Sequence, residues 1–310
     1  MRVLFWGTPD FAVPSLRALL GEGHDVVGVV TQPDRPQGRH RSVAQPPPVK
    51  RIALEEDLPI LQPERPRGEA FEQQLRELAP DVSVVVAYGH ILPQSVIDLP
   101  PLGTLNVHAS LLPRWRGAAP IQAAILAGDP ETGVCVMRMV QRLDAGPVLL
   151  RVPTPIAEDE TGGELQERLA ELGALAIVEA LTLISLGRAQ EEPQDEALAT
   201  YAPRIDREAA RIDWTADAAQ VARAIRAFDP RPGAWSTLRD SEVKLFGARV
   251  ARDVSGDPGH VLDIDELGLL VACGTGGVRV AYAQPAGRRR LAALDWAQGR
   301  GVAKGERFGG

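Results

Sequence analysis

Ala79–Gly89 reads "APDVSVVVAYG", with Val82, Val84, Val85 and Val86 broken only by Ser83. A sheet with one wet face alternates apolar and polar residues. A run this uniformly apolar instead describes a strand covered on both faces. The stretches on either side repeat the signal. Upstream, "RVLFWG" (2–7) ends at Gly7, and "FAVPSLRALLGEG" (11–23) carries apolar residues at helical spacing with Gly21 and Gly23 as a stop. "DVVGVVTQ" (25–32) is a further strand. Downstream come "TLNVHAS" (104–110), a helix near "AAPIQAAILAG" (118–128), the strands "TGVCVMRMV" (132–140) and "GPVLLRVPTPI" (146–156), and a helix over 162–187. Strands and helices in alternation predict an α/β domain over residues 1–189, a doubly wound, mostly parallel, Rossmann-like sheet.

The pattern changes after residue 189. "QEEPQDEALATYAP" (190–203) is polar and acidic without periodicity, and reads as a linker. Over 204–310, one short helix, "DAAQVARAIRAF" (217–228), precedes "AWSTLR", "EVKLFGARV", "GHVLDID", "GLLVACG" and "GVRVAYAQ", separated by Gly-rich breaks. Several short strands at close spacing predict a small OB-like β-barrel.

Composition narrows the function. The 310 residues are 45% apolar and 24% charged, values of a globular protein rather than a disordered one. No apolar run approaches the roughly 20 residues needed to cross a bilayer, and "MRVLFWGTPDF" lacks the apolar core and cleavage site of a secretory signal. No membrane association is expected. Cys135 and Cys273 lie far apart, without a CxxC or a neighbouring His pair, so neither a metal site nor a disulfide is expected and a cytoplasmic location is. The formal net charge of −7 conceals a split. Residues 204–310 hold 17 basic and 14 acidic side chains, while the rest of the chain holds 17 and 27. A net-positive domain on an acidic chain hints at an anionic partner.

Three places could carry chemistry. "FWGTPDF" (5–11) joins a strand to a helix through a single Gly, where the dinucleotide fingerprint has three, so a tight turn is the better reading. In "LNVHAS" (105–110), alternation points Asn106 and His108 to one side of a strand end, where ligands collect in doubly wound sheets. Asp144, in "RLDAGPVL" (142–149), lies in a Gly-containing turn between two strands. Asn, His and Asp converging on one crevice suit a reaction through a tetrahedral intermediate: the amide and an imidazolium stabilise the oxyanion, and His and carboxylate manage protons. Ser110 is the nearest hydroxyl, but it lacks the elbow that exposes a nucleophile, so direct transfer between two bound substrates is expected. Glu158 and Glu160 read as a solvated helix start, with Thr161 near its cap. The third place is basic. "PDRPQGRHRSVAQPPPVK" (33–50) reads as an exposed loop, and Arg288–Arg290 close a strand in the net-positive domain. Arg and Lys contacts to phosphate are the main source of nucleic-acid affinity. Arg114-Trp115-Arg116 has the composition of such a patch too, or of an anchor for the following helix.

"LFWGTPDFAVPSL" (4–16), "VVTQPDRPQGR" (29–39), "VVVAYGHILP" (84–93), "LNVHASLLPRWRGAAPIQAAILAGD" (105–129), "LDAGPVL" (143–149) and "AARIDW" (209–214) together resemble the methionyl-tRNA formyltransferases, within the wider folate-dependent formyltransferase group. The resemblance spans nearly the whole chain. It implies transfer of a formyl group from 10-formyltetrahydrofolate, with no metal, to the α-amino group of methionyl-initiator tRNA, by a monomer. It also implies Asn106, His108 and Asp144 as the catalytic set. Ser110, Leu111, Leu112 and Pro113, with Ile91 and Leu92, line the folate site by the same token. Arg39 and Arg41 on the basic loop, with Arg288 and Arg289 on the barrel, become the tRNA contacts. His40, Arg41 and Ser42 stand where lysines are common in the family, and Ala145 where Thr is common. Rival readings are a formyltransferase acting on an amino sugar or glycinamide ribotide, and a non-catalytic RNA-binding protein on the same scaffold.

Overall fold

In the computed structural model, which describes residues 1–36 and 44–309, the apolar runs of the first half become strands buried on both faces. In chain order these elements are β1 (Arg2–Gly7), α1 (Val13–Gly21), β2 (Asp25–Val30), β3 (Arg35–Pro36), β4 (Ala44–Gln45), α2 (Pro48–Glu55), β5 (Ile60–Leu61), α3 (Glu69–Glu77) and β6 (Val82–Val86). There follow α4 (Gln94–Ile97), β7 (Thr104–His108), β8 (Arg116–Gly117), α5 (Pro120–Ala127), β9 (Glu131–Arg138), β10 (Val148–Pro155), α6 (Gly162–Ser185) and β11 (Tyr201–Ala202). One seven-stranded sheet runs β10-β9-β7-β6-β1-β2-β5. Its strands from β5 to β7 are parallel, and β9 lies antiparallel to β7. The expected mixed, mostly parallel α/β sheet is thus what the chain builds. Packing groups Met1–Pro120, Thr132–Pro155 and Gln166–Ala202 into one compact unit, and Ile121–Glu131, Ile156–Leu165 and Pro203–Gly310 into another. The stretch read as a linker belongs, through Ala202, to the first unit.

Every residue of β6 is buried, as its composition requires. On one side of the sheet Leu4, Trp6, Val85 and Tyr88 pack with Phe71 and Leu75 of α3 and with Leu92, Val96 and Ile97. On β7, Gly173 of α6 approaches so closely that a Cβ there would sit 2.9 Å from Val107. Val107 therefore faces α6, and the two-residue period turns Asn106 and His108 to the other side. At Gly7, a Cβ would lie 2.8 Å from that of Ala12 and 3.2 Å from the Val86 carbonyl oxygen. This glycine allows a strand-to-helix turn to pack tightly, as read from its isolation. Helix α6 opens on a reciprocal cap. Glu164 N–H donates to Thr161 Oγ1 (3.2 Å), and the Glu164 carboxylate accepts from Thr161 N–H (2.9 Å).

The second unit holds α7 (Ala218–Ala227), β12 (Trp235–Leu238), β13 (Ser241–Ala251), β14 (Val261–Asp265), β15 (Gly268–Ala272), β16 (Gly277–Pro285), β17 (Leu291–Ala292) and α8 (Ala293–Gln298). Its strands form a separate antiparallel sheet in the order β12-β13-β16-β15-β14, with β17 on β16. Val243, Leu245, Val271, Val278 and Val280 of that sheet share one core with Val221 and Ile225 of α7 and with Trp214, Trp296 and Phe308. Asp217 and Gln220 close a capping box at the start of α7, which sharpens that helix's entry.

Candidate active site

The carboxyl end of β7 delivers His108. His108 is buried, and its Nε2 lies 2.9 Å from the Trp115 carbonyl oxygen. A carbonyl can only accept, so Nε2 donates its N–H to Trp115, which leaves Nδ1 on the opposite side of the ring. That nitrogen faces Asp144 Oδ2 at 3.7 Å. Asp144 belongs to the turn between β9 and β10 and adopts a left-handed backbone, φ 47°. A non-glycine residue in that region carries about 1–3 kcal/mol of strain, so its surroundings must impose it. The Gly117 N–H donates to Asp144 Oδ2 (2.8 Å), and the amide of Gln194 donates to the carbonyl oxygens of Asp144 (2.8 Å) and Gly146 (2.7 Å). Asn106 is half-buried on β7, two residues before His108 and on its face of the strand. Sequence-distant Asp144 and the Asn106–His108 strand are therefore brought to one sheet edge, as the sequence suggested.

Behind these groups lies a charged cluster that sequence reasoning missed. Arg116 is 1% exposed. Its guanidinium donates to Gln194 Oε1 through Nε (3.1 Å) and Nη2 (2.8 Å), and to both carboxylate oxygens of Glu196 (3.1 and 2.9 Å). Arg142 reaches the same carboxylate at 2.6 Å. Hydrogen bonds first from Arg116 and then from Arg142 hold the Glu196 carboxyl down to about 2. Backbone pairing ties the same segment down. Arg116 N–H donates to Thr200 O, Trp115 N–H to Thr200 Oγ1 (2.9 Å), and β8 pairs with β11. Arg114-Trp115-Arg116 thus divides: Arg116 is an internal ion-pair residue, and Arg114 stacks over the Trp115 ring at 4.5 Å.

The other expected site residues fall into distinct settings. Ser110 is fully buried, and its hydroxyl donates to the Arg114 carbonyl (2.6 Å), in keeping with no nucleophilic role. Leu112 packs with Cys135, Met137 and Val148, while Leu111 and Pro113 are half-buried. Leu92 lies in the core beside Tyr88, whereas Ile91 is 82% exposed. The buried Tyr88 hydroxyl is pushed up to about 12 by desolvation. At the ends of β1 and β2, Thr8 and Gln32 both donate to the Tyr88 carbonyl, and Asp34 pairs with Lys50 at 2.8 Å while accepting from Gln62. Arg39 and Arg41 lie outside the described residues. Arg288 and Arg289 are exposed at the turn between β16 and β17. Their neighbour Arg290 is instead bound bidentately to buried Asp229 (2.9 and 3.2 Å) and stacked on Phe246 and Tyr282. Among the described residues no group of three His, Cys, Asp or Glu is placed to hold a metal, and no helix is long and apolar enough to cross a membrane.

A His facing a carboxylate at the carboxyl ends of parallel strands, two residues from a neutral amide, is an arrangement suited to group transfer. The chain belongs to the formyl transferase family: residues 1–181 match the formyl transferase domain and residues 204–301 the formyl transferase C-terminal domain. It is 50% identical over 295 residues to the methionyl-tRNA formyltransferase of Pseudomonas paraeruginosa, covering 95% of this chain and 94% of that one. Against the methionyl-tRNA formyltransferase of Aromatoleum aromaticum it is 50% identical over 308 residues, 99% of this chain and 97% of the relative. Among solved structures, the N-formyltransferase of Helicobacter canadensis, in complex with folinic acid and dTDP-3-aminofucose, superposes with a TM-score of 0.70 at 16% identity, over 92% of this chain and 99% of that one. HypX of Aquifex aeolicus in complex with tetrahydrofolic acid gives 0.65 at 21% identity, over 95% of this chain and 46% of that one. At these identities the two structures share the fold.

Proposed function

We propose that this enzyme transfers the formyl group of 10-formyltetrahydrofolate to the α-amino group of methionyl-initiator tRNA, giving the formylated aminoacyl-tRNA of translation initiation. The observation that carries this reading is end-to-end identity of 50% with relatives bearing that name, across both units. A sugar or glycinamide-ribotide formyltransferase shares the Asn-His-Asp set, but it has no use for a basic loop and a net-positive C-terminal unit together.

Both the formyl donor and the aminoacyl-tRNA are substrates. The neutral amine attacks the formyl carbon, and its electron pair forms the new C–N bond while the carbonyl oxygen gains charge. Asn106 and His108 stabilise that oxyanion. The attacking nitrogen sheds its proton to the His108–Asp144 pair, which returns one to the departing folate nitrogen as the C–N bond to the donor breaks. Asp144, held by Gly117 N–H, faces Nδ1 and stabilises the ring each time it becomes charged. Residues 110–113, with Ile91 and Leu92, form the folate side of the crevice. Arg39 and Arg41 contact the acceptor stem, and Arg288 and Arg289 the tRNA backbone from the second unit. Residues 1–189 form the catalytic domain and residues 204–310 the tRNA-binding domain of a monomer working in the cytoplasm.

Labelled formyl transfer from 10-formyltetrahydrofolate, compared over charged initiator tRNA, uncharged tRNA and amino sugars, tests the assignment. Transfer to charged tRNA alone is expected, and preferential transfer to the amino sugar refutes it. For the residues, Asn106→Ala and Asp144→Ala should each slow single-turnover transfer by about 10²–10³-fold, the cost of one oxyanion-type donor or its partner. Full activity in either variant removes that residue from the catalytic set.

A further inference from the structure

Asp144 is held in a strained backbone conformation, 3.7 Å from His108, and a side chain from residues 190–202 bonds the turn that carries it. Gln194 is the joint. Its NH2 group donates to two carbonyls of the catalytic turn, those of Asp144 and Gly146, while its Oε1 accepts twice from buried Arg116. Arg116 sits on the other catalytic loop, between Trp115, whose carbonyl accepts from His108, and Gly117, whose N–H donates to Asp144. The same stretch fixes that loop's backbone through Thr200, which takes hydrogen bonds from the main-chain N–H groups of Trp115 and Arg116. The loop that bears the Trp115 carbonyl and the Gly117 N–H, and the turn that bears Asp144, are thus both tied to the segment that the sequence presents as featureless linker.

We propose that Gln194 is a positioning residue for the formyl-transfer reaction, acting through the Asp144 turn. The amide is suited to this because it both donates and accepts in one plane. One end reads the carbonyls of the turn and the other reads the guanidinium of the opposite loop. A glutamate of the same size keeps the Arg116 contact and gains charge attraction to it. It loses both donors, however, and sets a carboxylate oxygen against two carbonyl oxygens, which forces the turn away from Gln194's side. This inference rests on the catalytic reading of Asp144 and His108 given above.

The test uses the full chain with 10-formyltetrahydrofolate and methionyl-initiator tRNA. Gln194→Glu should lower the single-turnover rate by about tenfold to a hundredfold, the usual cost of a misplacement on the order of 1 Å. KM for both substrates should stay at the parent values, and the rates are compared well below the melting temperature of each variant, which the lost hydrogen bonds lower. Gln194→Met, of similar length but with no donor and only a weak acceptor, should give the same loss and serves if the glutamate variant does not fold. The decisive comparison is a double-mutant cycle with Asp144→Asn. If Gln194 acts through Asp144, Gln194→Glu costs nothing further once Asp144 is replaced. Parent-like rates in both Gln194 variants, or fully additive losses in the cycle, overturn the proposal. A parent-like rate in Asp144→Asn alone instead overturns the catalytic reading beneath it, so the two failures are distinguishable.

Discussion

Gly146→Ala is the sharpest test of whether the place of the Asp144 turn governs the reaction. Gly146 follows Asp144 by two residues and has no positive-φ requirement, so alanine is excluded there by space alone. An added Cβ would fall 2.9 Å from the carbonyl carbon of Arg138, and closer still to its oxygen. That carbonyl cannot retreat, because Arg138 ends β9 in register with Leu105 of β7 and its N–H donates to Pro147. Carbon atoms rest at about 3.5–4.0 Å, so the turn must move by about 1 Å. Asp144 and its hydrogen bond from Gly117 move with it, and a displacement of that size in a catalytic group costs on the order of 10²-fold in rate. Single-turnover formyl transfer with saturating donor measures the loss, and substrate titration separates it from weakened binding. Gly21→Ala is the control: at the end of α1 a Cβ meets nothing within 4 Å, so the change should leave the rate intact and raise stability by up to about 1 kcal/mol. A parent-like rate in Gly146→Ala would falsify the claim that this turn must sit where it does.

Other outcomes follow from the same structure. Arg290→Leu strands the buried carboxylate of Asp229 and should destabilise the protein by about 2–4 kcal/mol, toward the low end of broken buried pairs because Arg290 is 37% exposed. Arg288→Ala and Arg289→Ala should leave the thermal melt unchanged and each reduce the salt slope of tRNA binding by about one. A melt lowered by either alanine variant would contradict the exposed placement. Asp34 is held below the usual carboxylate range, first by Gln62 and then by Lys50. Its contribution is therefore complete above the unfolded value near 3.8 and fades as pH falls through the lowered folded value. Asp34→Asn should accordingly lower the melting temperature at pH 7 and converge with the parent near the acid limit; an offset independent of pH would show that the charge is not what matters. Burial pushes the thiols of Cys135 and Cys273 up to about 11, so neither should react with a thiol reagent at pH 8 until denaturant is added.

How far the sequence carries depends on the range of the interaction. The strands β1, β2, β6 and β7 are legible because burial on both faces writes itself into consecutive residues. Asn106 and His108 are legible because the strand period puts them on one face, and Asp144 because a Gly-containing turn between two apolar runs marks a strand end. Helix α3 is not: most of its residues are polar, and only Phe71 and Leu75 are buried. Two-residue β5 carries no periodicity at all. The Arg288–Arg290 run shows the limit most plainly. Three identical side chains differ in role because Asp229, 61 residues earlier, claims the last of them. Gln194 and Arg116 meet across 78 residues, and nothing local to either distinguishes it from a surface polar residue.

The buried guanidinium of Arg116 bears on why such a cluster exists. Desolvating an ion pair gives little or no net stability, and well-packed apolar replacements are often as stable or more so. Stability alone therefore gives no reason for charge at this position. Geometry does. A guanidinium offers five donors in a fixed plane, and here four of its bonds go to Gln194 and Glu196 at distances of 2.8 to 3.1 Å. Glu196 also binds Arg142, two residues before Asp144, and Gln194 binds Asp144 itself. A leucine could fill the volume but could not fix three chain segments in angle as well as distance. The turn that holds Asp144 is thus fastened at both of its sides to one rigid plane, which is what a carboxylate needs when it must face His108 in a backbone conformation it would not choose alone.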